Sequence, residues 1–201
     1  MFKVRIRFGG AHVVQPTDEV RKLDHKLVLY KRIINGKTVV SPIPPISFRG
    51  ALRHMACIVA RNLGDEYREA YFSLFGSDVT DRCFGEGGEE EYGELTPFTK
   101  EGKISVELLD SPSAVDGIVE VRPRIRVDAK KGVVKKGALA FSEAVSGDLE
   151  VVFGIKIRGE LDEKERKLLR SALSLLKGWG VGGWASVGFG IVESIDIEEG
   201  E

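Results

Sequence analysis

The stretch Lys177-Gly-Trp-Gly-Val-Gly-Gly-Trp-Ala-Ser-Val-Gly-Phe-Gly-Ile-Val192 decides how this chain is read. It places six of the chain's 24 glycines (Gly178, Gly180, Gly182, Gly183, Gly188 and Gly190) within thirteen residues, together with both tryptophans. Glycine at that density costs backbone entropy in any regular element, so the segment calls for positive φ angles or for the close approach of another backbone. A helix-like run, Glu163 to Lys177, precedes it, and a strand-like run, Phe189 to Ile197, follows it. Phosphate loops run in the opposite order, from strand through glycine loop to helix, so that a helix N-terminus meets the phosphate. The Lys-Ser/Thr that closes a Walker loop is also missing here. A P-loop or dinucleotide-binding reading is excluded on both counts.

Working outward, the helix predicted over Asp162–Lys177 carries Leu168, Leu169, Ala172, Leu175 and Leu176 on one stripe, and Leu149–Ile157 before it reads as a strand. At the other end of the chain, Phe2-Lys-Val-Arg-Ile-Arg-Phe8 alternates apolar and charged residues, the period of a half-buried strand. Leu27–Arg32 and Thr38–Val40 flank the hairpin turn Asn35-Gly36. Ser47 is the expected N-cap of a helix over Phe48–Asn62, with Leu52, Met55, Ala56 and Val59 on one face and Gly64 as its stop. A short helical piece is expected at Glu66–Phe75, and Ile104–Leu109 alternates as a strand. With insertions at 11–45, 65–98 and 115–145 set aside, the order is β–α–β–β–α–β. This is the split-βαβ arrangement of a ferredoxin-like α+β domain, with core segments near 1–10, 46–64, 103–110 and 148–198 of a single domain spanning 1–201.

The charge balance conceals a pattern. Thirty basic and 31 acidic residues leave a net charge of −1, which alone points to no polyanion. Yet residues 21–37 hold Arg21, Lys22, Lys26, Lys31, Arg32 and Lys37 against Asp24, a net of +5. Residues 119–136 hold seven basic side chains against Glu120 and Asp128, again +5, while residues 78–94 carry −6. Two basic stretches and one acidic loop therefore share the chain. Cys57 and Cys83 are the only cysteines, and without C-x-x-C or H-x-x-x-H spacing they predict no zinc site. Cys57 lies in an apolar helical run and is expected as a free core thiol, with no dependence on a disulfide. No signal peptide or long apolar run is read, so a cytoplasmic protein without membrane contact is expected. A single Gln, two Asn and many charged residues lean toward a thermophilic source.

Three stretches, in order, resemble the RAMP superfamily of CRISPR systems, RNA-binding proteins built on a ferredoxin-like (RRM-like) core. Ile43-Pro-Pro-Ile-Ser-Phe-Arg-Gly-Ala-Leu-Arg53 is similar to the family's Ile-Pro-Gly-Ser-Ser-hydrophobic-Lys/Arg-Gly helix start. Arg122-Pro-Arg-Ile-Arg-Val-Asp128, with Gly137-Ala-Leu-Ala-Phe-Ser-Glu-Ala-Val145, resembles the Arg-x-x-Ile-Asp…Gly-x-Leu…Glu module of backbone (Csm/Cmr-type) subunits of type III effector complexes. Gly180 to Gly190 resembles the superfamily's glycine-rich loop, and Phe75-Gly-Ser77 also fits the backbone group. Some features depart from the pattern. Pro44-Pro45 replaces Pro-Gly, Ala11–Pro16 replaces a glycine turn after the first strand, and Ala185-Ser-Val187 stands where the family carries a basic residue between the late glycines.

The resemblance implies a subunit that binds CRISPR RNA and target RNA and stacks with copies of itself and other RAMP subunits in a filament. It assigns RNA contacts to Ser47, Arg49 and Arg53 on the first helix, to Lys26, to Arg122, Arg124 and Arg126 in a thumb-like β-hairpin, and to Gly180, Gly182, Gly183, Gly188 and Gly190. Arg49 and Arg53 lie four apart and so share a helix face beside a helix N-terminus; they read either as phosphate ligands or as solvated arginines. Trp179 and Trp184 read as core first and as base-stacking surfaces second, and His54 as structural. In Leu23-Asp-His-Lys-Leu-Val28 the resemblance makes Asp24 the residue that cleaves target RNA with Mg²⁺, with Asp18 as a rival. Two alternatives stay open inside the family. One is a metal-independent endoribonuclease that processes precursor CRISPR RNA with His12 or His25; the other is a purely structural RAMP subunit. A generic RRM-like module would need paired aromatics on its central strands, and Val4/Ile6 and Val151/Phe153 do not supply them.

Overall fold

The alternation of the first strand is borne out in β1 (Phe2–Gly9), where Phe2, Val4, Ile6 and Phe8 are at most 1 % exposed. The structure, a computed structural model, describes residues 1–9, 29–77, 83–84, 100–111, 119–128, 130–145, 149–182 and 190–200. β2 (Tyr30–Ile34) and β3 (Lys37–Ser41) pair around Asn35 (φ 49°) and Gly36 (φ 75°). Two successive positive φ angles give the primed turn that matches the twist of a two-residue hairpin. Helix α1 (Pro45–Leu63) follows, with Pro45 at a first-turn position where a missing N–H costs no hydrogen bond. Pro44 is its N-cap and offers no side-chain cap, so Ser47 lies inside the first turn rather than capping the helix. The proline pair starts the helix three residues earlier than Ser47 would. Gly64 (φ 111°) ends it, as expected.

A single 3-10 turn, Asp65–Tyr67, leads into α2 (Arg68–Phe75), which turns back along α1. Two short strands, β4 (Gly76–Ser77) and β5 (Lys100–Glu101), pair with each other before β6 (Ile104–Asp110). The hairpin of β7 (Val119–Val127) and β8 (Val134–Val145) comes next, then β9 (Leu149–Ile157), α3 (Glu163–Leu175) and β10 (Ile191–Glu199). α3 starts with a capping box: the Asp162 carboxylate accepts from the Glu165 amide, and the Glu165 carboxylate accepts from the Asp162 amide. Both Glu165 oxygens also accept from Lys103 Nζ, at 2.7 and 2.8 Å, which compensates the burial of this carboxylate.

β10, β1, β9 and β6 form one antiparallel sheet in that spatial order. Counting core strands alone, the order is fourth, first, third, second, the ferredoxin-like arrangement expected from the element order. α1 and α3 pack against each other, and their apolar stripes join the strand residues in a single core. At its centre the Phe48 and Phe153 rings stack with centroids 4.5 Å apart, both fully buried. The opposite sheet face carries Lys3, Arg5 and Lys156 in ion pairs with Glu198, Glu150 and Glu107. Exposed pairs of this kind add little stability. They do balance that face electrically, and among its described residues no aromatic stands where an RRM would stack bases.

Candidate nucleic-acid interface

Register places the appendages of the fold together. Gly9 pairs with Ile191 and Phe8 with Leu149, while Asp110 pairs with Val152, three residues into β9. The end of β1, the end of β6, the start of β9 and the start of β10 therefore lie at one end of the sheet. Three connections leave from that end: residues 10–28 after β1, the β7–β8 hairpin between β6 and β9, and the glycine-rich segment before β10. The strand ends that lead to the β7–β8 hairpin and to the glycine loop, far apart in sequence, are brought to one end by the antiparallel topology.

The described part of the glycine loop is zipped. Gly178 donates to the Val192 carbonyl, Val192 donates to the Trp179 carbonyl, and Val181 donates to the Gly190 carbonyl, each at 2.8 Å. Gly180 pairs with Ile191, so the segment Gly178–Val181 runs antiparallel to the start of β10. Gly183, Gly188 and Trp184 lie outside the described residues. Gly178 (φ 81°), Gly182 (φ 103°) and Gly190 (φ 63°) use the left-handed freedom that the composition called for. At Gly190 there is a second reason: a Cβ would run into the Val181 carbonyl oxygen. Trp179 departs from the core expectation. It is 44 % exposed, the one Phe, Tyr or Trp exposed among the described residues, and its ring centroid lies 5.8 Å from that of exposed His54.

Along α1, the expected anion-binding residues divide between two faces. Arg49 and Arg53 do share a face, and that face turns toward α2. Arg49 Nη2 donates to the Phe75 carbonyl at 2.9 Å and its guanidinium lies 5.9 Å from the Phe75 ring centre, while Arg53 Nε donates to Tyr71 Oη at 3.1 Å. Burial, then the charge of Arg53, holds the Arg49 guanidinium below its usual pKa, with Tyr71 opposing. An arginine has five N–H donors, so these bonds leave others for a phosphate, but they fix each side chain first. Arg49 also lines a groove of about 540 Å³ between β2, the start of α1 and β6. On the groove wall Arg32 donates to Glu107 (2.8 Å) and to the Leu108 carbonyl (2.7 Å), tying the β2–β3 hairpin to the sheet edge. Burial alone would raise the Glu107 carboxyl, but the hydrogen bonds from Lys156 and Arg32 outweigh it and hold it below the usual range.

Ser47, Gly50 and His54, spaced three and four apart, make a different stripe of α1. Gly50 is exposed, and a Cβ there would meet nothing within 4 Å. A glycine inside a helix costs about 1 kcal/mol relative to alanine, and no packing contact here offsets that.

In the β7–β8 hairpin, Asp128 shapes the tip. Its Oδ1 accepts from the Lys130 and Lys131 amides (2.9 and 3.2 Å), and its carbonyl accepts from Gly132 (φ 64°) at 2.8 Å. The Asp of the Arg-Ile-Arg-Val-Asp stretch is thus an Asx-turn residue. Arg122 is exposed and paired with Glu120 at 3.3 Å. Arg124 and Arg126 belong to β7 by backbone, and their side chains lie outside the described part. Asp24 and Lys26, with Asp18, His12 and His25, also lie outside the described residues. Among those that are described, no cluster of three or more His, Cys, Asp or Glu residues is placed to hold a metal ion. No helix among them is long and apolar enough to cross a membrane.

The cysteines correct an expectation. Cys57 of α1 and Cys83 form a disulfide, with Cα atoms 5.5 Å apart. Next to it Phe84 packs on the rings of Tyr71 and Phe72, with the Arg68 guanidinium 5.8 Å from the Phe84 ring centre. Sequence spacing gave no hint of this pairing, because it depends on α2 returning along α1.

A ferredoxin-like α+β core that carries a glycine-rich helix-to-strand loop and a basic hairpin at one sheet end defines an RNA-binding class of protein rather than a nucleotide-binding one. The family model of the RAMP superfamily matches residues 27–193, and the chain belongs to that superfamily. Membership carries a CRISPR-associated, RNA-binding role within an assembled complex. The match contains the first-helix motif, the hairpin and the glycine loop, and begins after Asp24 and Lys26. No curated protein matches the chain.

Proposed function

We propose that this chain is a backbone subunit of a type III CRISPR interference complex, binding guide RNA along the loop-bearing end of its sheet. The observation that carries the reading is that the strand ends leading into residues 10–28, into and out of the β7–β8 hairpin, and out of the glycine loop all lie at that end. Of these segments, the hairpin bears the basic stretch 119–136 and residues 10–28 bear the Asp24 context, both of which resemble type III backbone subunits. Head-to-tail stacking of copies would place one such end after another along the guide, as heterologous contacts that do not close naturally do.

Target-RNA cleavage at Asp24 with Mg²⁺ belongs to the same proposal. It rests on the Leu23–Val28 context alone, since the described residues offer no preformed carboxylate cluster. The test is cleavage of target RNA by the assembled complex containing wild-type, Asp24→Ala or Asp18→Ala chains, each with Mg²⁺ and with EDTA. Asp24→Ala should slow cutting at least about 100-fold while leaving guide binding intact, the scale of loss expected for a group acting at the reacting phosphate. Cutting that persists in Asp24→Ala overturns the catalytic assignment. Cleavage of precursor guide in EDTA, lost with a His12 or His25 change, would instead identify a guide-processing enzyme.

A further inference from the structure

We infer that Trp179 is a nucleobase-stacking site, and that the RNA strand reaching it runs over the bare Ser47–Gly50 stretch of α1. The inference rests on the RNA-binding reading and deepens it by naming what the exposed aromatic takes. Three observations meet here. An indole is normally buried for its large apolar area, yet Trp179 stays 44 % exposed while its backbone is held by hydrogen bonds to Leu176 and Val192. The ring is therefore exposed on a backbone already held in place, so a base stacks on it without ordering the loop arm. Secondly, His54 sets a second exposed ring beside it at a 41° tilt. Their 5.8 Å centroid separation is too small for a base to enter between them, so the base lies against the indole from outside. Thirdly, Gly50 sits one helical turn from His54 and leaves open space where any other residue would project. A helix glycine without packing contacts fits a backbone that passes close by.

The stripe also gives Ser47 a partner surface that Arg49 and Arg53, turned toward α2, do not share. Stacking of a base on an aromatic tolerates any sequence, because every base has a π face. That suits a subunit meeting a different nucleotide in each guide.

The test uses the full chain and fluorescein-labelled oligoadenylate, with an abasic oligomer of the same length as the comparison. Trp179→Ala should weaken oligoadenylate binding about tenfold, leave the abasic oligomer unchanged, and be largely rescued in Trp179→Phe. Gly50→Ala should raise the melting temperature while weakening both oligomers, two changes that a purely structural glycine would not combine. In Trp184→Phe, where Trp179 is the only indole, emission should be quenched by oligoadenylate. Equal weakening of both oligomers by Trp179→Ala, or an unquenched Trp179, overturns the stacking site and leaves RNA binding standing. Trp179 emission that responds to protein concentration and not to RNA also overturns it, in favour of a neighbouring copy covering the ring. A wild-type chain that binds neither oligomer removes the RNA reading and the stacking site together.

Discussion

Gly190→Ala is expected to destabilise the fold by about 4 kcal/mol, combining left-handed strain on a residue with a side chain and overpacking, each about 1–3 kcal/mol. Gly190 has φ 63°, and its new Cβ would meet the Val181 carbonyl oxygen. That oxygen belongs to backbone and cannot swing away. Val181 is fixed by its own hydrogen bond to Gly190, and the neighbouring Gly180 by its pairing with Ile191. Gly178, at φ 81° with nothing within 4 Å of its would-be Cβ, is the internal comparison. Alanine there should cost only about 1 kcal/mol, the strain alone. Urea unfolding of both variants measures the difference. Equal and small losses would show that the two arms of the loop do not pair as described. Any loss of RNA binding in Gly190→Ala then follows from opening the zipped arms, not from removing a contact.

The second large effect concerns the disulfide. Cys83→Ser should lower stability by about 3 kcal/mol, the loop-closure contribution expected for a bridge across 26 residues. Wild-type protein should lose the same amount when unfolding is measured in reductant, and the serine variant should be indifferent to it. A wild-type unfolding curve unchanged by reductant contradicts the bridge. The consequence is local: the bridge holds Cys83 to α1, and Phe84 beside it packs on the α2 rings Tyr71 and Phe72.

The core elements were legible because each carries its own period. The alternation of Phe2–Phe8 and the stripe of Leu168, Leu169 and Ala172 name their buried faces without tertiary information, and the residues concerned are buried. The order of those elements then dictated the sheet, since the split-βαβ rule leaves one arrangement. Positions decided by what packs outside an element were not legible. Arg49 and Arg53 share a face, as spacing required, but only the return of α2 shows that the face is occupied. Ser47 looked like a cap because capping preference is local, whereas Pro44 and Pro45 start the helix earlier. Trp179 was expected inside because apolar area favours burial, and its exposure depends on how the loop arms pair. Cys57 and Cys83 carried no period at all.

The glycine loop itself separates into roles that composition merged. Gly190 permits a close backbone approach, Gly178 and Gly182 permit turns, and Gly180 pairs in the extension of β10. RNA contact, if assigned to the loop as a whole, would have hidden these distinct requirements.

The most direct test of the central claim is photo-crosslinking of guide RNA in the assembled complex, with the crosslinked peptides of this chain mapped by mass spectrometry. The account predicts crosslinks in residues 10–28, in the β7–β8 hairpin and in the segment 178–190, with Trp179 among them. Crosslinks confined to the opposite end of the sheet, at 64–66 and 158–163, would contradict it.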